Sequence, residues 1–250
     1  MSEVKDCSSL QELFHHWKNK DPYTTQYDGA KKGERITLEI NHKENVFITD
    51  GIVNEELWYS LPRKKRILFI LKEAYGGKED WSLTAFLRGE AYKENIWRRV
   101  IEWTYGICGT TENKIERFYQ GTELYAKDNK WLQRIAVLNI KKSAGQSSSV
   151  YGEISAYADC DKDEILKEIE LIDPGIIICG STFSDIDRIM GTNCKRERYS
   201  ENWYYYTDAI GDTERLFIDY YHPGNHYPSL INYYGVVNIY QQALLEKELL

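Results

Sequence analysis

The sequence predicts an α/β protein, a three-layer α/β/α arrangement around a largely parallel, four-stranded central sheet. Four short apolar runs carry this reading: Ile67 to Leu71, Ile135 to Leu138, Ile176 to Cys179 and Leu216 to Ile218. Runs of this length without strict alternation match strands buried on both faces, and the stretches between them have helical periodicity. Each run also ends in a polar signature. These are Lys72-Glu73-Ala-Tyr-Gly-Gly77, Asn139-Ile-Lys141-Lys142, Gly180-Ser181 and Tyr221-His222-Pro-Gly224. Ligands of such sheets sit beyond the carboxyl ends of the strands, so Glu73, Asn139, Lys141 and His222 are expected to face one crevice.

In chain order, Ser9 to Glu12 has the spacing of a capping box opening a helix that carries Leu13, Phe14 and Trp17. Ile36 to Ile40 and Val46 to Thr49, separated by Asn41-His-Lys-Glu-Asn45, suggest a peripheral hairpin. Between the first two core strands, Tyr92 to Tyr105 and Lys114 to Ala126 read as amphipathic helices. Asp161 to Ile172 is a helix with Ile165, Leu166, Ile169 and Ile172 on one face, stopped by Asp173-Pro174. Ser181 to Met190 reads as a further helix, Trp203 to Thr207 as an added strand, and Ser229 to about Leu245 as the closing helix.

A chain of 250 residues can bury one large core, and no linker-like composition shift divides it. One domain over residues 1–250 is expected, with residues 1–60 packed on it as a helical and hairpin extension. The formal charge of −7 and pI near 5.4 exclude an overall basic footprint for nucleic acid, so any such binding must come from a local patch. Five cysteines, at positions 7, 108, 160, 179 and 194, form no CxxC pair and no even disulfide framework, which points to reduced thiols in a cytoplasmic protein. The opening Met-Ser-Glu-Val-Lys-Asp lacks the regions of a signal peptide, and no apolar run approaches the roughly 20 residues that span a bilayer. No membrane partner is expected.

Glu73-Ala-Tyr-Gly76, followed by Glu79-Asp80 and Phe86, resembles the first motif of the uracil-DNA glycosylase superfamily, and in particular its GEAPG-type branch. There Glu-Ala-Pro-Gly is followed at the same spacing by Glu-Asp and a base-stacking Phe. Asn139-Ile-Lys141-Lys142 is similar to the family's Asn-Val-Val-Lys segment, Asp173-Pro174 with its Ile-Ile-Ile-Cys-Gly strand to a third family segment, and His222-Pro-Gly224 to the His-Pro-Ser loop. The resemblance covers roughly residues 66–245 and implies a uracil-DNA glycosylase-like fold.

Hydrolysis of an N-glycosidic bond passes through a sugar cation and an anionic leaving base. It needs a carboxylate near the sugar and a donor near the base. Glu73 and His222 are the candidates for these two roles. Such enzymes flip the base into a pocket that stacks it and reads its edge. By resemblance Phe86 stacks on the base and Asn139 reads its Watson–Crick edge, with Tyr75 also at the base. Lys141, Lys142, Ser143 and its loop, Gly224 and Asn225 are the candidates for phosphate contact. The implied partner is single- or double-stranded DNA, or a nucleobase or nucleotide.

Several residues depart from the family pattern. Lys72 replaces a Gly before the carboxylate, Tyr75 replaces the Pro, and Gly224 replaces the Ser of His-Pro-Ser. The four cysteines that hold an iron–sulfur cluster in the GEAPG branch have no counterparts at such spacing, so neither cluster nor other cofactor or metal is expected. The residues alone leave each role open, with Glu73 equally a helix cap, His222 a turn residue, Phe86 a core ring and Lys141-Lys142 a solvated face. Two other functions stay in play: a non-catalytic nucleic-acid- or nucleotide-binding protein of the same fold, and an unrelated α/β enzyme. In the latter, Gly180-Ser-Thr-Phe-Ser184 holds phosphate at a helix start or Ser181 is a nucleophile, although no G-x-S-x-G elbow or P-loop is present.

Overall fold

The computed structural model describes residues 4–29, 31, 33–146, 148–191 and 203–249. The first helix, α1 (Leu10–Lys18), precedes strands β1 (Tyr23–Asp28), β2 (Arg35–Ile40), β3 (Ile48–Thr49) and β4 (Gly51–Ile52), then α2 (Glu55–Ser60). The first core run is β5 (Ile67–Tyr75), followed by β6 (Trp81–Ser82), α3 (Leu83–Arg88), α4 (Asn95–Gly109) and α5 (Gly121–Lys127). The second is β7 (Ile135–Gly145), leading to α6 (Tyr151–Cys160) and α7 (Lys162–Ile172). The third is β8 (Ile176–Gly180), with α8 (Phe183–Met190) and β9 (Tyr204–Thr207) after it, and the fourth is β10 (Arg215–Tyr220), which leads to α9 (Ser229–Leu249).

The central sheet has six strands in the order β4-β7-β5-β8-β10-β9. The four apolar runs are its four inner strands, and every pairing among them is parallel. Antiparallel β4 and β9 close the two edges, so the sheet is two strands wider than the four runs require. The inner strands are apolar throughout because both faces are covered. Phe69, Val137, Ile178 and Ile218 pack under α4 and α9, with Trp103 and Val237. Ile70, Leu138, Ile177 and Phe217 pack on the opposite face with Trp17, Tyr157, Ile169 and Ile186 from α1, α6, α7 and α8. From β5 the chain crosses to β7 on one side and returns to β8 on the other, which puts the topological switch between β5 and β8.

Four features differ from expectation. Ile36 to Ile40 is a strand, but its partner is β1 rather than Val46 to Thr49. The latter segment is claimed by the first motif, where Asp80 accepts from Phe47 N–H at 2.9 Å and β3 pairs in parallel with β6. Lys114 to Gln120 is not helical. The Tyr233 hydroxyl donates to the carbonyls of Glu116 and Arg117 there, and the helix begins only at Gly121. The capping box is only half formed: Ser9 Oγ accepts from Glu12 N–H, while the Glu12 carboxylate turns to the Ser8 backbone and hydroxyl. Helix α6 carries no marked apolar stripe in sequence and was not expected at all.

Among the described residues, no helix is long and apolar enough to cross a membrane. Cys7, Cys108, Cys160 and Cys179 are free thiols, and Cys194 and Ser147 lie outside the described residues.

Candidate active site

A cleft of about 680 Å³ opens at the carboxyl ends of β5, β7 and β10. Glu73, Tyr75, Phe86, Asn139, His222 and Gly224 all line it, joined by Trp81, Trp97 and Gln146. The sequence expectation that strand-end residues converge is met for Glu73, Asn139 and His222.

Glu73 sits where β5 and β7 pair residue for residue, directly opposite Lys141. Its carboxylate accepts from Lys141 Nζ at 2.9 Å, and the same ammonium lies 2.8 Å from Glu153 of α6. Immediately beyond, the register shifts, so that Tyr75 pairs with Gly145. A Cβ at Gly145 would lie 2.5 Å from the Glu73 carboxyl carbon, so any larger residue there must displace that side chain. The turn after Tyr75 is made by Gly76 and Gly77, both with positive φ (85° and 101°), a conformation L side chains rarely adopt. That turn returns the chain so that Trp81 Nε1–H donates to Gly76 O. Trp81 stands edge-on to Phe86 at 6.3 Å and leaves the Phe86 ring 39% exposed at the cleft. Tyr75 is more open still, at 72%.

Asn139 is buried, and Asp50 holds it: one carboxylate oxygen accepts from its backbone N–H at 2.6 Å and from Nδ2 at 3.3 Å. Asp50 reaches this point because its neighbour Gly51, in edge strand β4, pairs with Val137 of β7. A buried amide must be satisfied, and here the satisfaction comes from a segment about ninety positions away.

His222 follows β10. Its backbone N–H donates to Ser181 Oγ, and its Nδ1 accepts from Gly224 N–H at 3.1 Å. With Nδ1 an acceptor, the proton of the neutral ring resides on Nε2. Burial, reinforced by the charge of nearby Lys72, pushes the imidazole pKa down to about 4. The ring is therefore neutral at pH 7 and carries one N–H donor. Arg99 braces the loop by donating to the carbonyls of Pro223, Asn225 and Tyr227.

The expected phosphate contacts are not built as predicted. Lys141 is committed to Glu73 and Glu153, whose pull outweighs the desolvation that opposes its charge and raises its pKa. Lys142 is fully buried on the opposite face of the sheet, 2.5 Å from Asp50 and 2.7 Å from Glu168, and cannot reach a ligand. Ser143 is buried against the Tyr157 hydroxyl at 2.9 Å. Asn225 spends its amide on His222 O, Tyr227 N–H and Asn232 inside its own loop. Of the phosphate candidates, Gly224 lines the cleft, as does Gln146 from the loop after Ser143. For Lys141, Lys142 and Ser143 the cause is common: carboxylates and a hydroxyl from other elements meet these polar groups in the fold, which local spacing does not reveal.

Ser181 has a positive φ of 56° and its hydroxyl is engaged by His222 N–H, while Thr182 Oγ1 donates to Ile70 O. Both hydroxyls of the Gly180-Ser-Thr segment thus brace the strand ends. Trp81 and Trp97 are cleft residues that sequence reasoning missed; for Trp81, an aromatic residue four positions after a Gly-Gly turn was the available signal. Comparison of the chain with protein-family models and with curated proteins returns no match.

Proposed function

We propose that this cleft receives a nucleobase and that the protein is a uracil-DNA glycosylase-like hydrolase of the N-glycosidic bond of uracil or a related base in DNA. The observation that carries the reading is the convergence of an ionic carboxylate, an exposed ring, an anchored carboxamide and a neutral imidazole donor on one cleft. The chemistry uses each group in turn. Phe86 offers a face on which a flipped base stacks, and Asn139 offers hydrogen bonds to its edge. As the glycosidic bond breaks, electron density moves onto the base, and the His222 Nε2–H stabilises the developing oxyanion. A neutral donor suits this role because it need not lose a charge to the departing anion. The Glu73 carboxylate faces the sugar, where positive charge develops, and water supplies the hydroxyl that the sugar keeps. Lys141 holds Glu73 in place from beside it.

The burial of Lys141 and Lys142 favours a second reading, a protein that binds a free base or nucleotide in the same cleft without cleaving DNA. One assay separates the two. Purified protein is incubated with single- and double-stranded oligonucleotides carrying one deoxyuridine, and abasic sites are revealed by alkali. The glycosylase reading expects strand scission at the uracil position; no abasic product from either oligonucleotide would overturn it.

A further inference from the structure

A primary carboxamide has two nearly equivalent orientations, and a half-turn exchanges its acceptor with its donor. At Asn139 the choice is made by Asp50. A carboxylate only accepts, and this one directs Oδ2 at both the backbone N–H and Nδ2 of Asn139 while Oδ1 takes the ammonium of Lys142. Turning the amide over would set Asn139 Oδ1 against a carboxylate oxygen and forfeit a hydrogen bond in a buried site. One N–H of Nδ2 is thereby consumed, which leaves Oδ1 and the other N–H for the cleft that Asn139 lines. Lys142 and Glu168 fix Asp50 in turn, and none of Asp50, Lys142 or Glu168 lines the cleft itself.

We propose that Asp50 is a positioning residue that locks the Asn139 carboxamide, so that the cleft selects a base edge with a carbonyl beside a ring N–H over one with an amino group beside a bare ring nitrogen. The selection rests on the reading that a base enters the cleft; the lock does not. With the base held by stacking on Phe86 and by the His222 donor, uracil pairs with the locked amide, while cytosine meets donor against donor and acceptor against acceptor. Mismatched buried polar groups give large discrimination, so a preference of at least about tenfold is expected.

The test uses the full-length protein with free uracil and free cytosine as probes, their dissociation constants measured by NMR titration. In Asp50→Asn, a single oxygen must serve either Lys142 or the Asn139 backbone N–H, so the two-sided acceptor is lost and the Asn139 amide is no longer held in one orientation. The uracil-to-cytosine preference should fall at least about tenfold. Asp50→Ala/Lys142→Met removes the partner and its lysine together, leaving Glu168 as the one ionisable group of the cluster, held toward its neutral form by burial, and supplies the same comparison should the single variant fail to fold. Its preference should approach unity. A role in stability alone would weaken both bases in parallel and leave the ratio unchanged, which would overturn the proposal. Hydrogen exchange of the Asn139 side-chain amide, read without ligand, tests the lock by itself. Slow exchange in the wild type and fast exchange in the double variant is expected; equal rates would refute it. If the wild type bound neither base, the selection would fall together with the base-binding reading, while the exchange result would still decide the lock.

Discussion

Lys142 offers the sharpest test of the architecture, because sequence reasoning assigns it to solvent and phosphate while the fold buries it completely. Its ammonium lies between Asp50 and Glu168 and 4.9 Å from the centre of the Trp17 ring. Burial opposes the charge, but the two carboxylates outweigh it and raise the lysine pKa. Burial and Asp50 together push the Glu168 carboxyl well above its usual range. Lys142→Met keeps the volume and removes the cation, leaving Asp50 and Glu168 facing one another. Breaking a buried pair from one side costs about 3–5 kcal/mol. At about 2–4 °C per kcal/mol for a chain of this size, the melting temperature should drop by roughly 6–20 °C.

The loss should depend on pH in a definite direction. A carboxyl whose folded pKa is raised favours the folded state at low pH, and that contribution is lost as pH rises toward the folded pKa. Removing Lys142 raises the Glu168 pKa further, so the variant's deficit should grow as pH rises and shrink as pH falls, by up to about 1.4 kcal/mol per pH unit for one proton. Urea denaturation followed by near-ultraviolet circular dichroism at pH 8, 6.5 and 5 measures this. A loss below about 1 kcal/mol at pH 8 would place Lys142 among ordinary surface ion pairs and refute the buried triad.

Glu73→Gln and His222→Ala should each slow single-turnover cleavage by about 100-fold or more, since the proposed mechanism sets both beside charge that develops in the transition state; near wild-type rates in both would remove them from the chemistry. Lys141→Ala should also act on the chemical step rather than on binding, because its ammonium holds Glu73, and an unchanged rate with weakened DNA affinity would restore the phosphate role. Gly145→Ala should displace the Glu73 carboxylate and lower the cleavage rate while Tm changes little, and normal turnover in that variant would show the close approach to be unimportant. Elemental analysis should find no stoichiometric iron or zinc, and either metal at one equivalent would contradict the cysteine reading.

Much of the fold is legible because parallel strands buried on both faces need continuous apolar runs, and few other structures use Ile-Ile-Ile-Cys or Ile-Leu-Phe-Ile-Leu. The positions of Glu73, Asn139 and His222 were legible for a related reason: each closely follows such a run, so strand direction alone carries them to one end of the sheet. The fate of Lys141 and Lys142 was not. Their partners Asp50, Glu153 and Glu168 lie on an edge strand connection and on two helices, and only the assembled register brings them within hydrogen-bond reach. Edge strands β4 and β3 span two residues each, too short for any periodic signal, yet β4 delivers Asp50 to Asn139. The segment from Lys114 to Gln120 looked helical from its own residues, but Tyr233, over a hundred positions later, takes its carbonyls.

The proposed function needs His222 as a neutral donor in the cleft, and nitrogen-15 NMR of its imidazole observes that state directly. At pH 7 the spectrum should show Nδ1 unprotonated and Nε2 protonated, in keeping with the Gly224 N–H donated to Nδ1. Titration should place the ring pKa near 4. Because the folded pKa lies below the unfolded one, this histidine should also cost stability as pH falls from about 6.5 toward 4. Added uracil should shift the Nε2–H resonance. A ring that is charged at pH 7, that carries its proton on Nδ1, or whose Nε2–H ignores saturating uracil would contradict the account.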